Sequence, residues 1–297
     1  MLLRCTASRE GKLNTFLRRE LSMSSSLVSR LKWQNALLVN GAPAHTGHPV
    51  RTGDEVAVRL EETVEGFSPE EMPLSILYED EALIALDKPA GLLTHPSPCR
   101  NDGTLANGLL AYYQKTGQRC GIHPVSRLDR DTFGVVLLAK NAYVHEKFRQ
   151  LHQSGGIRKT YRACVYGVPD ADCGTIDLPV FKLGGESLLR IVDVRGQQAV
   201  TEFSVLRRWE RTALLALHPI TGRTHQLRLH CLASGWPILG DPQYATDASR
   251  AYSAQCGIAP QQLCAAELAF THPLTGESVR IFSHQDVLCP EAEDSRL

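Results

Sequence analysis

Apolar residues recur with two different periods along the chain, and the switches between them mark out its elements. Leu13, Phe16, Leu17 and Leu21 are spaced for one face of a helix, and Leu27, Val28 and Leu31 repeat that spacing after Ser24-Ser25-Ser26. The serine cluster suits a cap, because its hydroxyls can take up N–H groups left unpaired at a helix start. Positions 37–39, a turn at Asn40-Gly41 and positions 50–58, interrupted at Gly53-Asp54, read as short strands. Residues 61–72 then break the pattern. They are acidic and hold Gly66 and Pro69, the composition of a linker.

Positions 74–78 and 82–86 flank the charged turn Glu79-Asp80-Glu81 and predict a hairpin that ends at Asp87-Lys88-Pro89-Ala90-Gly91. Thr104 is placed to cap a helix carrying Leu105, Leu109, Leu110 and Tyr113. Positions 135–139 predict a buried strand. A helix from about Asn141 sets Val144, Phe148 and Leu151 on one face and stops at Gly155-Gly156. Further strands are expected at 161–166, 199–206 and 213–217, and a helix from His225 to near Gly235. Strands outnumber helices and mostly follow one another, so the expected class is α+β with a mainly antiparallel sheet. The division expected is a small α/β domain over 1–60, a linker over 61–72 and a large domain over 73–297.

Composition narrows the setting. The chain has 297 residues and is 43% hydrophobic, enough for one large core and a small one. No stretch is long and apolar enough for a membrane helix, and Arg4, Arg9 and Lys12 interrupt the apolar residues a signal peptide would need. Nine cysteines without a C-x-x-C pair suit reduced thiols, so a cytoplasmic setting is expected, with a monomer as the default state. The formal charge is zero, but residues 1–60 lean basic and 61–90 acidic. A basic face can hide behind a neutral total, so nucleic acid remains a partner class. Arg18, Arg19, Arg30 and Lys32 lie on the polar sides of the first two helices, where they would grip phosphates or form a solvated face.

The candidate chemistry centres on Arg127-Leu128-Asp129-Arg130-Asp131-Thr132-Phe133-Gly134, at a boundary between elements. Flanking cations favour the charged carboxylate that a nucleophile or base needs. Tyr161 lies in a strand pattern and Arg228 one helical turn after His225. Taken singly, each has an ordinary explanation: a surface ion pair, a core ring, a helix-surface cation. A glycosidase built on Asp129 and Asp131 lacks a sugar platform and a second tuned carboxylate. His225 and His230 are five apart, off the i, i+4 spacing of a helical metal pair, and Cys120 with His123 has no matching second pair.

Taken in order, the motifs resemble the RluA family of pseudouridine synthases. The matching stretches are Ile76-Leu77-Tyr78-Glu79-Asp80, Asp87-Lys88-Pro89-Ala90-Gly91, Arg127-Leu128-Asp129 with Thr132 and Gly134, and Lys159 with Tyr161. They continue through Pro219-Ile220-Thr221-Gly222-Arg223-Thr224-His225-Gln226-Leu227-Arg228, Pro237-Ile238-Leu239-Gly240-Asp241 and Phe270-Thr271-His272-Pro273. The N-terminal pattern, through Val39-Asn40-Gly41 and Gly53-Asp54, is similar to the RNA-binding module named after ribosomal protein S-four. Gln34-Asn35-Ala36 stands where that module often has lysine and glycine.

The resemblance implies that Asp129 acts on the ribose of a uridine, that Arg228 pairs with it, and that Tyr161 stacks on the uracil. Arg127 would fill the space left by the flipped nucleotide, and Arg223 and His225 would face RNA. The implied partner is structured RNA, ribosomal or transfer, with large-subunit ribosomal RNA favoured by the appended module. No cofactor or metal is implied. Ser126, Phe133 and Cys264 stand where the family usually has His, Ser and His, and they bear on substrate fit. The alternative they leave open is an RNA-binding or ribosome-assembly protein without catalysis.

Overall fold

The computed structural model describes residues 1–64, 66–97, 101–184 and 189–294. The first 60 residues carry β1 (Leu2–Thr6), β2 (Gly11–Lys12), α1 (Leu13–Arg19), α2 (Ser25–Trp33), β3 (Leu37–Val39), β4 (Ala42–Pro43), β5 (Pro49–Val50) and β6 (Glu55–Arg59). Four of these strands form an antiparallel sheet ordered β1-β6-β3-β4. Ser24 caps α2, its hydroxyl accepting from the Leu27 N–H at 3.2 Å. Leu13, Phe16, Leu17, Leu27, Val28 and Leu31 are all buried between the helices and the sheet.

The rest of the chain forms β7 (Ile76–Glu79), β8 (Leu83–Lys88), α3 (Leu105–Lys115), β9 (His123–Pro124), β10 (Phe133–Ala139) and α4 (Ala142–Gln153). There follow β11 (Ile157–Tyr166), β12 (Cys173–Asp177), β13 (Val180–Lys182), β14 (Arg190–Val192), β15 (Val200–Arg208) and β16 (Thr212–Pro219). The chain continues through α5 (Gln226–Ala233), α6 (Asp247–Gln255), β17 (Leu263–Thr271), β18 (Ser278–Phe282) and α7 (Pro290–Asp294). The large sheet runs β12-β15-β16-β11-β17-β10-β8-β7, with β18 beside β17 and β9 beside β10. Its pairs are antiparallel except β10 with β17.

The seven residues of β10 are all buried because both faces of the sheet are covered there. Val135, Leu137 and Ala139 join one apolar cluster with α4, and Val136 and Leu138 join another with Leu105, Leu109 and Tyr113 of α3. At its start, Gly134 has φ +105° with the Ala265 nitrogen 2.8 Å from where a Cβ would stand. No L side chain fits there, which is why glycine ends the Asp129 segment.

The N-terminal sheet is fastened to the larger one. One apolar cluster runs from Leu13, Phe16 and Leu31 through Leu83, Val135 and Phe148 without a break. The Tyr143 hydroxyl donates to the Leu21 carbonyl at 3.0 Å. Glu62, in the acidic stretch, accepts from Arg30 at 2.7 Å, the Ala142 N–H at 2.9 Å and His123 at 2.5 Å. It thereby ties α2 to the start of α4.

Candidate active site

Asp129 lies in the loop before β10, and its neighbours are held in alternation. The Leu128 carbonyl accepts from Thr94 at 3.3 Å, the Arg130 carbonyl from Lys88 at 2.8 Å, and the Thr132 hydroxyl from Gln261 at 2.6 Å. These three bonds fix the loop at Leu128, Arg130 and Thr132, the first and last of them buried. The side chains of Arg127 and Arg130 are exposed, and the Asp129 side chain is 29% exposed. Lys88 is fully buried, and its nitrogen also donates to the carbonyls of Pro89 at 2.9 Å and Leu92 at 2.7 Å. Burial pulls its pKa down to about 8, with Asp131 and Asp129 opposing.

Arg228 comes from α5, whose residues 226–231 are all buried. It forms a fork on Asp241, with Nε and Nη2 at 2.7 and 2.8 Å, and reaches the Asp129 carboxylate through Nη1 at 3.1 Å. Burial would raise the Asp241 carboxyl, but bonds from Arg228 and from the N–H groups of Tyr244 and Gln243 outweigh it and hold it low. His225, the left-handed residue before α5, sets Nε2 at 3.9 Å from the same Asp129 oxygen. The loop leading to it is knitted by Gln226, which accepts from the Thr221 hydroxyl and the Arg223 N–H at 2.8 and 2.9 Å.

Tyr161 sits at a bulge in β11, paired with Leu217 and Ala265, where two apolar clusters meet. Burial and then the Asp129 charge push its hydroxyl well above the ordinary range, so it stays protonated. Asp129, Tyr161, Arg228 and His225 therefore converge, although they are spread over a hundred residues of sequence. Arg127 and Arg223 lie exposed on the flanking loops, and Arg223 donates to the Gln198 carbonyl at 3.1 Å.

Arg18, Arg19, Arg30 and Lys32 are on the other sheet, exposed on α1 and α2, and are not part of this cluster. Arg30 is bound to Glu62. Next to Lys32, Trp33 is 79% exposed, with the Lys32 nitrogen 5.4 Å from its ring centre. Asp241, Tyr244 and Lys88 are site residues whose contacts the sequence reading missed. Asp241 could have been found as the acid after Gly240, whose left-handed backbone abuts Pro260 and sets the turn.

The unusual Phe133 and Cys264 are register partners across the β10–β17 pair, and both are buried. The bulk of Phe133 is thus taken up inside the sheet.

Residues 82–233 match the family described as RNA pseudouridylate synthase. An uncharacterized RNA pseudouridine synthase of Bacillus subtilis is 34% identical over 88% of this chain and 91% of its own. The chain belongs to the RNA pseudouridine synthase family. The ribosomal large subunit pseudouridine synthase D of Neisseria meningitidis serogroup B is 34% identical over 91% of this chain and 74% of that one. The solved structure of human RNA pseudouridylate synthase domain containing 4 shares the fold, with a TM-score of 0.58 at 24% identity, covering 72% of this chain and 88% of that one. Among the described residues, no helix of this pseudouridine synthase is long and apolar enough to cross a membrane.

Proposed function

We propose that this pseudouridine synthase modifies uridines in large-subunit ribosomal RNA in the cytoplasm, with Asp129 as its reactive carboxylate. Supporting the substrate class are the relatives named for the ribosomal large subunit. The observation that carries the residue assignment is the Asp129–Arg228 contact at 3.1 Å beside a carboxylate still open to solvent.

The reaction is an isomerisation. The N1–C1′ bond of uridine breaks, C5 bonds to C1′, and the C5 proton leaves while N1 gains one. Asp129 acts on the ribose during cleavage, as nucleophile at C1′ or as base at C2′. Arg228 holds that carboxylate charged and aimed. The ring of Tyr161, immobilised at the bulge, supports the freed uracil while it turns. A base in a helix must leave its stack first, and the exposed Arg127, two residues from Asp129, enters the vacancy. The helices α1 and α2 supply a second contact to RNA phosphates.

The intact carboxylate–guanidinium pair disfavours a binding-only protein. The test is a map of pseudouridine in cells with and without this gene, repeated with Asp129→Ala restored. Loss of ribosomal sites that the wild type restores and the variant does not supports the reading. Persistence of every ribosomal site overturns the substrate, and persistence of every site overturns the activity.

A further inference from the structure

Tyr244 is almost fully buried and meets the Asp129 cluster at three points. Its own N–H donates to Asp241 at 2.9 Å, the carboxylate that forks onto Arg228. Its ring lies under the Arg228 guanidinium, 4.9 Å from centroid to Cζ. Its hydroxyl stands 2.9 Å from His225 Nδ1 and 2.9 Å from the backbone nitrogen of Arg190 at the start of β14.

The last two contacts fix a proton. The Arg190 N–H can only donate, so the hydroxyl accepts from it; the buried O–H then needs an acceptor, and His225 Nδ1 is the one among its hydrogen-bond partners in the described residues that can accept. A neutral His225 must then carry its hydrogen on Nε2, the nitrogen 3.9 Å from Asp129. That gap is too wide for a direct hydrogen bond, and a substrate oxygen beside it can stand within hydrogen-bond reach of both atoms. Burial holds His225 below its ordinary pKa, with Arg228 acting the same way and Asp129 opposing, which favours the neutral ring. His225 also adopts φ 57°, a left-handed conformation uncommon outside glycine, which turns the chain into α5.

We propose that Tyr244 is a positioning residue that orients both nitrogen groups facing Asp129: its ring steadies Arg228, and its hydroxyl locks His225 as an Nε2–H donor to a substrate oxygen. The oxygen lies on the uridine, either a ribose hydroxyl or a uracil carbonyl. The hydroxyl also couples this donor to β14, so the hairpin of β13 and β14 and the reactive cluster share one hydrogen-bond chain. This inference rests on Asp129 being the reactive carboxylate.

The test compares Tyr244→Phe, Tyr244→Leu, His225→Asn and the double variant His225→Asn/Tyr244→Phe in single-turnover reactions on the RNA that the wild type modifies. Asparagine is chosen because it tolerates the left-handed backbone. Tyr244→Phe keeps the ring and loses only the lock, so the rate is expected to fall about tenfold with RNA affinity unchanged. Tyr244→Leu removes the ring as well, and the rate is expected to fall at least about a hundredfold. The double variant is expected to be no slower than His225→Asn, because the hydroxyl acts through that ring.

Nitrogen-15 spectra of labelled histidine give a readout independent of turnover. They should show His225 as the Nε2–H form in the wild type and a mixture in Tyr244→Phe. A full rate in Tyr244→Phe, losses that multiply in the double variant, or an unchanged tautomer would each overturn the proposal. A wild type inactive on every RNA would instead overturn the functional reading, and the spectra would still report on the lock.

Discussion

Arg228 is shared unequally between two carboxylates: two of its nitrogens bond the buried Asp241, and a third reaches Asp129 at 3.1 Å. The stronger partner is the one without access to substrate. Asp241 thus fixes the guanidinium so that its remaining donor points at Asp129.

Replacing Asp241 by asparagine keeps the shape and removes the charge. A buried Arg228 then loses its main counterion, and breaking such a pair costs about 3 kcal/mol of stability. The freed guanidinium also misaims its third nitrogen, so single-turnover rate is expected to drop about a hundredfold with RNA affinity little changed. Urea unfolding and rapid-quench kinetics measure the two effects separately.

Lys88 predicts a pH effect of unusual sign. The folded chain sheds its proton near 8 and the unfolded chain near 10.5. Between those values the unfolded state holds the extra proton, so this group's contribution to stability increases as pH rises. Below pH 8 the buried charge is a standing cost, kept for its three carbonyl bonds. Deprotonation removes one donor and loosens the Arg130 carbonyl beside Asp129, so wild-type turnover should decline above about pH 8. Lys88→Arg, permanently charged, should start slower and show no such decline. A pH–rate profile of both proteins decides it.

Glu62 behaves the opposite way. Burial works to raise its carboxyl, but His123, the Ala142 N–H and Arg30 prevail and hold it below the ordinary value of 4.5. Its stabilising contribution is therefore complete above that value and disappears as pH falls through the lower folded value. Thermal unfolding of Glu62→Gln should show a deficit at pH 7 that shrinks in this acid window. Equal deficits at pH 7 and pH 3 would contradict the role assigned to its charge.

The second RNA contact proposed for α1 and α2 is separable from chemistry. Reversing Arg18, Arg19 and Lys32 together should weaken RNA binding and reduce the slope of its salt dependence by roughly 3, one for each phosphate no longer neutralised. Trp33→Ala should cost about 1–3 kcal/mol of affinity if a base stacks on its exposed ring. Turnover at saturating RNA should be unchanged in both. Filter binding across a salt series is the measurement.

The parts of this fold that local patterns dictate were legible in the sequence. Ser24, Thr104 and Asn141 cap their helices as the spacing indicates, each accepting from an N–H three residues on. The apolar run at 135–139 is a strand covered on both faces. What stayed hidden depends on distant partners. β1 alternates only between exposed and half-buried positions and is a strand because β6 pairs all five of its residues. In α6, Ser249 and Ser253 are the buried positions, so no apolar stripe announces it. Asp129 and Arg228 came out of the motifs, but Asp241, Tyr244 and Lys88 act through contacts that only the folded chain creates.

The unbroken apolar cluster and the Glu62 clasp fasten the N-terminal module to the larger sheet. A module on a loose tether would let the reactive carboxylate sample many uridines around one anchoring helix of RNA. Fastened this way, with the RNA contacts proposed above, the protein would work as a caliper with fixed jaws. If α1 and α2 anchor the RNA as proposed, a uridine is selected by its distance and direction from the anchored helix, and lengthening the RNA between the two by a few base pairs should carry it out of reach.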